Sequence, residues 1–498
     1  MKHKQYLSLI CFYSGLLYSQ VFNGHTLFSP TQGGPGGNGF NSYLINNNFE
    51  EINTWEHPRG AASMPYLMRD STLYYPYRVQ NPTMSTGGVG GGISKYNWNG
   101  ELLWSYELAN DVYQHHHDIF PLENGNVLVI AWERHAEIQS NGSIYYGGEG
   151  AGWAEMGRVS VDNSLNQMWG AAVLELEPVG SSDANIVWEW HIWDHLVQDV
   201  EPDLPNYGVI SDHPELMDIN FGDVGTNQGP GGANADWMHF NAIDYNSDLD
   251  QIILSSRHHG EIYIIDHSTT TEEAAGHAGG NYGRGGDFLY RWGNPRAYGR
   301  GTTSDQKLFA QHGVNWISEG YPGAGNLILF NNNFSSGSSA IFEIITPINA
   351  QGEYFLDEGE SYGPQEPVWM YTGGFHSQVQ SGAFRMPNGN TLVSVAGDAR
   401  LFEVDTENNI VWDYSYPGSQ QTMIARAQKY PLDYLEESFP NYIVGDINFD
   451  TYFDIFDLLY ISDMAYDFYN PTPPADYNLD GQVNISDIII FAQYLLNN

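Results

Sequence analysis

Cysteine is almost missing from this chain of 498 residues, in which Cys11 is the only one. It lies within the opening stretch MKHKQYLSLICFYSGLLYSQ, which combines a basic start, a short apolar segment and small polar residues. That pattern is typical of a secretory signal peptide and is too short to span a membrane. We therefore predict that residues 1–20 are a signal peptide and that the protein is secreted, periplasmic or displayed at the cell surface. The mature chain would have no thiol, which excludes disulfide bonds and cysteine catalysis.

Positive charge is scarce as well. The chain has 18 Lys and Arg against 60 Asp and Glu, a formal net charge of −42. We therefore do not expect nucleic acid or anionic membranes as partners, because their phosphate groups would be repelled. Beyond the signal peptide, no run is apolar enough for a transmembrane helix. An anionic substrate would need a local cluster of donors, so the few His and Arg residues carry most of the information about function.

Glycine and aromatic residues are abundant, with 55 Gly, 14 Trp and 34 Tyr, which favours a turn-rich all-β protein. The stretch Phe375–Tyr414 predicts four short strands separated by turns rich in Asn and Gly. The same order of strands and turns recurs from Gln114, from Trp237 and from Gln311. A further unit precedes these. Its strands lie between residues 21 and 108, and we expect them to form one sheet.

Five repeats of about 40–80 residues suit the blades of a β-propeller. The N-terminal strands and Thr422–Leu435 would complete a sixth blade. We therefore predict an all-β, six-bladed β-propeller over residues 21–435, with seven blades as the alternative.

The composition changes after residues 436–444, which we interpret as a linker. Residues 445–498 contain two copies of one pattern, in which alternating Asp and Asn residues lead into an amphipathic helix. Calcium needs about six or more hard oxygen ligands on a tight loop, and this spacing supplies them. The predicted Ca²⁺ ligands are Asp446, Asn448, Asp450, Asp454 and Asp457 in the first copy and Asp476, Asn478, Asp480, Asn484 and Asp487 in the second.

An aspartate at loop position twelve, followed at once by a helix, resembles the dockerin type I repeat. The first copy departs from it by having Thr451 where the loop usually has glycine. The resemblance implies a small α-helical, calcium-binding domain and a cohesin-type protein as its partner. Two alternatives stay open: a calcium-stabilised module without a cohesin, and an acidic pair of capped helices without calcium.

Histidines recur at or near the first residue of successive units, as His115–His117, His239, His312 and His376. Equivalent residues on the innermost strands of a propeller lie at equal distances from its axis, so we expect these imidazoles to converge at one mouth of the channel. Neutral imidazole is a nucleophile and imidazolium is a donor to an oxyanion. A ring of both suits the transfer of an anionic group.

Two other interpretations of these histidines are open. Each ring could be hydrogen-bonded at a blade junction, or His115–His117 together with His191 and His195 could bind zinc or copper. The chain offers no Cys for a metal, and consecutive residues of a strand point to opposite faces, which weighs against the metal.

Residues 35–435 resemble the arylsulfotransferase (aryl-sulfate sulfotransferase) family in the phrases HHHDIFPLENGNVLVIAWE, DWMHFNAIDYN, ILSSRHHGEIYIID, QHGVNW and SGAFRMPNGNTLVSV. The second and third phrases are the most specific. The resemblance implies a six-bladed propeller that moves a sulfuryl group from a phenolic sulfate ester to another phenol. It also implies a transiently sulfated histidine and no nucleotide cofactor, because the donor PAPS is not used.

Transferred residue by residue, the resemblance assigns His239 and His312 to the sulfuryl oxygens. We assign the sulfated nucleophile to His376, the next channel histidine in chain order. Near the strand LILF the family has an arginine, and this chain has Asn331–Asn333 instead. Further substrate contacts are assigned to His116, His117, Arg257, His259, Asn315 and Arg385.

We therefore expect a phenolic sulfate donor, a phenol acceptor and sulfuryl transfer between them. An aryl sulfate hydrolase, in which water takes the sulfuryl group, is the alternative enzyme. A non-catalytic secreted propeller that only binds its partner is the third possibility.

Overall fold

The computed structural model describes residues 21–31, 40–136, 152–418, 422–435, 444–448, 452–466, 473–478 and 482–497. The predicted signal peptide lies outside these ranges, as do residues 436–443 of the predicted linker. Two of the predicted calcium ligands, Asp450 and Asp480, also lie outside the described residues.

Six four-stranded antiparallel sheets, numbered here as blades 1–6, make up the described part of residues 21–435. Blade 1 consists of Tyr66–Leu67, Leu73–Arg78, Gly91–Tyr96 and Leu102–Glu107, and blade 2 of Tyr113–Pro121, Val127–Ala136, Gln167–Val179 and Asp183–His191. Blade 3 consists of Phe240–Asn246, Gln251–Ser256, Glu261–Asp266 and Tyr290–Trp292, and blade 4 of His312–Trp316, Leu327–Ser335, Ser338–Ile344 and Trp369–Tyr371. Blade 5 consists of Gly382–Arg385, Thr391–Val395, Arg400–Val404 and Ile410–Ser415, and blade 6 of Met423–Pro431, Gly24–Thr31, Phe40–Ile45 and Glu51–His57. The first strands of blades 2–6 contact one another in succession and are therefore the innermost strands. The prediction of an all-β, six-bladed propeller is confirmed.

Smaller elements lie between the blades. Two short two-stranded sheets pair Leu196–Val197 with Met217–Asp218 and Thr226–Gly229 with Gly232–Asn234. The helix Thr271–Ala274 and the 3-10 turns Ile192–Asp194, Ile210–Asp212, Pro295–Tyr298, Thr303–Asp305, Ala396–Asp398 and Leu432–Leu435 complete the propeller.

Blade 6 joins the two ends of the propeller. Its innermost strand, Met423–Pro431, pairs antiparallel with Gly24–Thr31, and Lys429 stands opposite Thr26. The expectation that all strands up to residue 108 form one sheet is therefore wrong. Those strands belong to two blades, because the N-terminal strands find their missing partner at the far end of the propeller and so close the ring.

Tryptophans on the outermost strands tie neighbouring blades together. The indole N–H of Trp104 in blade 1 donates to the carbonyl of Asp183 in blade 2, at 2.8 Å. Corresponding bonds run from Trp188 to Thr269, Trp292 to Pro364, Trp412 to Asn47 and Trp55 to Asn97. A buried Trp needs a partner for its N–H, so each ring both fills the space between blades and fixes their spacing.

The C-terminal segment is helical, with Ile455–Ala465 and Ile485–Asn497 and a 3-10 turn at Pro473–Ala475. The two helices enclose a small core that includes Ile461 and Phe491. The side chain of Asn46 in blade 6 donates to the hydroxyl of Tyr460 at 3.0 Å. None of the described helices is long and apolar enough to cross a membrane. The likeness to a dockerin stays a prediction.

The buried ion pair between Lys429 of blade 6 and Glu403 of blade 5 generates a first prediction. Its Nζ–Oε2 distance is 2.9 Å, and both side chains have no solvent exposure. Replacing Lys429 by Met would leave Glu403 without this cation, which costs about 3–5 kcal/mol in free energy of unfolding. Chemical denaturation followed by Trp fluorescence measures the loss.

Arg400→Met is the matched control, because it breaks the pair with Asp413, whose side chain is 44% exposed. We expect this change to cost less than about 1 kcal/mol. Equal losses in the two variants would contradict the importance of the buried pair.

Candidate functional site

Five histidine rings come together where the innermost strands of blades 2, 3 and 4 begin. The ring of His117 lies 4.6 Å from that of His239 and 6.4 Å from that of His312, between centroids. The ring of His258 stacks on His239 at 4.7 Å, and His116 lies 5.3 Å from His117. Two of the predicted catalytic residues, His239 and His312, are thus placed together with His116 and His117. We call these five residues the histidine cluster.

The backbone of the innermost strands is irregular at these positions. The pairing register shifts between His115 and Ile119, beside His239 at Phe240, and after His312. His117 and His239 have φ angles of 53° and 54°, in the left-handed region that non-glycine residues seldom adopt. Register shifts of this kind re-aim side chains, so the same local device turns histidines of three blades towards one another.

Three rings of the cluster are anchored through Nδ1. His239 Nδ1–H donates to the carboxylate of Asp236. His258 Nδ1–H donates to the carbonyl of Trp237 at 3.1 Å. His312 Nδ1–H donates to the carbonyl of Ala310 at 2.9 Å and to the side-chain oxygen of Asn332 at 2.8 Å. Because these partners are acceptors, the neutral rings carry their lone pair on Nε2.

Burial sets the charge of the cluster. It lowers the pKa of His312 to about 3, and it lowers the pKa values of His116 and His117 well below their usual range. Burial alone would raise the pKa of Asp236, but the adjacent His239 ring lowers it below the usual range. The rings of His116, His117 and His312 are therefore neutral at neutral pH, and Asp236 is a carboxylate.

Arg257 brings a positive charge to the cluster. After burial, its charge is the largest cause of the lowered pKa of His312. Asp236 is close enough to act on the pKa of Arg257 in turn. Among the residues that the structure describes, none hydrogen-bonds or pairs with this guanidinium. A half-buried Arg with free donors beside neutral imidazoles is suited to an anionic group.

Ser339 and Asn332 connect the histidine cluster, through His312, to His376. Its ring is half-buried and its Nδ1 lies 3.4 Å from the hydroxyl of Ser339. No ring contact joins it to the cluster within the described ranges. The triplet 380–382, Gln-Ser-Gly, matches the Gln-His-Gly triplet of 311–313, so the position equivalent to His312 in blade 5 is Ser381. The hydroxyl of Ser381 is buried and accepts the N–H of Ala396 at 3.0 Å.

His258 is the cluster member that the sequence did not single out. Its neighbour His259, assigned there to substrate binding, instead packs its ring against Phe221 and Trp237, at 5.3 and 5.2 Å. The two residues lie in the turn after Gln251–Ser256, where side-chain direction does not alternate as it does in a strand. The doublet of histidines was the signal, but only the turn geometry distinguishes its members.

Two other assigned substrate contacts lie elsewhere. Arg385 pairs with Glu343 at 2.5 Å and covers the ring of Trp369, between blades 4 and 5. Asn315 donates to the carbonyls of Gly313 and Ala383. Neither side chain contacts the histidine cluster.

No described group of ligand atoms combines His115–His117 with His191 or His195. His115 accepts the N–H of Gly91 through Nδ1 at 2.9 Å. His191 pairs with Glu133 at 3.2 Å, whereas His195 pairs with Asp287 at 2.8 Å. Among the described residues, the groups with ligand atoms close enough for one ion are Asp236, His239 and His258, and His195, His277 and Asp287.

The loops before the C-terminal helices are built alike in both copies. The side-chain oxygens of Asp457 accept the N–H groups of Ile447 and Asp454, at 2.8 and 3.0 Å. Those of Asp487 accept the N–H groups of Asn478 and Asn484, at 3.0 and 2.9 Å. The remaining described members of the predicted ligand set are Asp446, Asn448 and Asp476.

A six-bladed β-propeller with a histidine-lined channel is the class of protein that fold and site define. Residues 172–430, just over half of the chain, match the model of the family described as Arylsulfotransferase (ASST). The chain therefore belongs to the arylsulfotransferase family.

Similar solved structures include a Bacteroides caccae protein of unknown function, 11% identical over 82% of this chain and 98% of that one, with a TM-score of 0.40. A Pseudomonas aeruginosa periplasmic gluconolactonase is 12% identical over 82% of this chain and 99% of that one, with a TM-score of 0.40. A Staphylococcus aureus virginiamycin B lyase is 11% identical over 79% and 86%, with a TM-score of 0.32. No curated protein sequence matches this chain significantly.

The ring of His312 provides the second prediction. We expect it to stay neutral and protonated on Nδ1 from about pH 5 to about pH 8, because burial lowers its pKa to about 3. Long-range ¹H–¹⁵N NMR spectra report the tautomer and the charge, and the His312→Asn spectrum assigns the signal. The protein unfolded in denaturant is the control, since its imidazoles titrate at about pH 6.5.

The same pKa has a consequence for stability. Below about pH 6.5 the unfolded chain binds a proton at His312 that the folded chain does not, so stability falls as the pH drops towards 3. A ring signal that titrates between about pH 5 and about pH 8 would contradict both statements.

Proposed function

We propose that this chain transfers a sulfuryl group from an aryl sulfate ester to a phenolic acceptor at the histidine cluster. Membership of the arylsulfotransferase family supports aryl sulfate transfer in general. The observation that carries the finer proposal is the guanidinium of Arg257, which has no partner among the described residues and lies beside neutral imidazoles. The sulfuryl group keeps its negative charge on three equatorial oxygens in the transition state, and a fixed cation in a buried site stabilises that charge.

His239 is the nucleophile in this proposal. Asp236 holds its Nδ1–H, which fixes the tautomer and leaves the Nε2 lone pair for attack on sulfur. The new bond joins Nε2 to sulfur, the ester S–O bond breaks, and the phenoxide leaves with the electron pair and takes a proton from water. The sulfated ring is an imidazolium, and the Asp236 carboxylate balances its charge. Arg257 interacts with the sulfuryl oxygens.

His258 serves the second half of the reaction. Its ring stacks on His239, and the bond from Nδ1–H to the carbonyl of Trp237 leaves Nε2 as a base. Nε2 takes the proton of the acceptor phenol, whose oxygen attacks sulfur as the Nε2–S bond of His239 breaks. The products are a new aryl sulfate and the free nucleophile, and His258 then gives its proton to the hydroxide left by the first half of the reaction. The earlier assignment of the nucleophile to His376 stays a prediction, and the experiment below tests it.

The third prediction concerns the three reactions that an aryl sulfate could undergo. With 4-nitrophenyl sulfate, we expect release of 4-nitrophenol that depends on an added phenol. Release without an acceptor would indicate a hydrolase, and no release with any phenol would favour a binding protein.

Variants of the cluster test the roles within the reaction. Arg257→Gln should lower kcat by about 10²–10³, because it removes the cation from the transition state. His239→Asn should abolish labelling of the protein by a ³⁵S-labelled donor. His213→Gln, which changes an exposed histidine outside the cluster, should leave both readouts unchanged. A ³⁵S label that persists in His239→Asn and is lost in His376→Asn would show that His376, and not His239, is the nucleophile.

A second function is calcium binding by the C-terminal segment, favoured by the matching geometry of Asp457 and Asp487. Both carboxylates are buried at helix starts, and Asp446 at the head of the first loop is 4% exposed. Hard carboxylate and amide oxygens of this kind fit Ca²⁺. Bound calcium would join each loop to the start of its helix, and a cohesin-type partner would dock beside it.

The fourth prediction follows from that proposal. Removing calcium with EGTA should raise hydrogen exchange in Ile455–Ala465 and Ile485–Asn497, because the loops lose the ion that holds them to the helices. Asp446→Asn should weaken the effect in the first helix, whereas Asp463→Asn, outside the loop, should not. Exchange that is the same with calcium and with EGTA would rule out a structural calcium site.

A further inference from the structure

A cavity of about 460 Å³ lies at the opposite end of the innermost strands from the histidine cluster. In Tyr113–Pro121, the cluster residues His116 and His117 precede the cavity residues Phe120 and Pro121 by three to five positions, about 10–16 Å along a strand. Side chains from blades 1, 2, 3, 4, 5 and 6 reach its lining. The volume is in the range of small-molecule sites, and the proposed sulfuryl transfer does not use it.

The walls of this cavity are rich in aromatic rings. Aromatic side chains from five blades line it: Tyr66, Phe120, Tyr245, Phe384, Tyr430 and Tyr434. Such faces carry partial negative charge and attract cations that have lost part of their water.

The positive groups of the lining are already balanced by acidic partners. Arg426 pairs with Asp118 at 2.5 Å and donates to the hydroxyl of Tyr66 at 3.0 Å. His267 is held between Asp250 at 2.7 Å and Glu175 at 3.0 Å. Neither cation is therefore free to receive an anionic ligand.

Two carboxylates of the lining form no ion pair among the described residues. The charge of Arg426 acts on one of them, Asp244, but its guanidinium pairs with Asp118. The side chain of Asp244 accepts the backbone N–H of Trp316 at 2.8 Å, and no cationic side chain pairs with it within the described ranges. Glu123 is exposed in the turn after Tyr113–Pro121 and likewise has no ion-pair partner among the described residues. The excess charge of the cavity is negative, in the same sense as the net charge of −42 of the whole chain.

We propose that this cavity is a binding site for a small organic ammonium ion, with the aromatic rings around its alkyl groups and Asp244 as its counter-ion. An anion would meet unbalanced carboxylates here. A neutral apolar ligand would leave the charge of Asp244 without a partner, at the cost of desolvating it. An ammonium ion satisfies both the rings and the carboxylate.

The ionisation of Asp244 adds a pH dependence. Burial raises the pKa of this carboxyl to about 7, so a bound cation, which favours the ionised form, binds more tightly at about pH 8 than at about pH 6. The other ionisable groups around the cavity are Tyr66, Asp118, Glu123, Tyr245, His267, Arg426, Tyr430 and Tyr434, together with Arg69, whose guanidinium lies 4.9 Å from the ring centroid of Tyr434. His267 keeps its charge over this interval, because its acidic partners, Asp250 and Glu175, raise its pKa to about 9 against the effect of burial.

Isothermal titration of the full chain with choline and with its neutral isostere 3,3-dimethyl-1-butanol tests the proposal. The two probes have the same shape and differ in charge. We expect choline to bind roughly tenfold more tightly or better than the alcohol, the contribution of a partly desolvated cation. Benzyltrimethylammonium, which is larger, serves as a second cationic probe.

Asp244→Asn keeps the size of the side chain and an acceptor for Trp316, and it should lower choline affinity roughly tenfold and remove the pH dependence. Asp248→Asn, in the exposed turn after Phe240–Asn246 and outside the lining, is the matched control and should bind as the parent chain does. Equal affinity for choline and the alcohol, unchanged affinity in Asp244→Asn, or no binding of either ammonium probe at millimolar concentration would each overturn the proposal. Sulfuryl transfer by Asp244→Asn should be unchanged, so the two proposals fail separately.

Discussion

Pairing between the two ends of the propeller is the interaction on which the rest of the structure depends. Met423–Pro431 completes the sheet begun by Gly24–Thr31, and without it blades 1 and 5 would flank an open seam. The buried pair of Lys429 with Glu403 crosses the neighbouring junction, and indole hydrogen bonds such as that of Trp55 hold the blades at a constant spacing. A channel lined from several blades has a defined width only in a closed ring.

The histidine cluster is formed by residues of several blades of this closed ring, in a chain that has few cationic side chains. Burial removes the charge from imidazoles such as those of His312 and His116, and Arg257 supplies positive charge beside them. Asp236 and the backbone carbonyls hold the rings through Nδ1. The cavity at the far end of the same strands has the opposite electrostatic character, because its cations are paired with carboxylates, whereas Asp244 accepts a backbone N–H and forms no ion pair among the described residues. One propeller thus presents sites of different charge at the two ends of its axis.

The sequence located part of the candidate site. His239 and His312 were found because repeats put equivalent residues at equal radius. His376 was chosen by chain order, which does not determine the distance of a residue from the propeller axis. The position in blade 5 that is equivalent to His312 is occupied by Ser381. His258 was passed over for His259, because the direction of a side chain in a turn depends on its backbone angles and not on alternation.

The sequence by itself determined the all-β class and the repeat, because strands and turns follow from the local alternation of residues and from Gly, Asn and Asp at turns. It favoured six blades, and the sheets of the tertiary structure fixed that number. It also marked the helical C-terminal segment. Only the tertiary structure decided which histidines meet and that an aromatic cavity lies opposite them. Those outcomes depend on register shifts and on contacts between blades that are distant in sequence, as between Asp118 and Arg426.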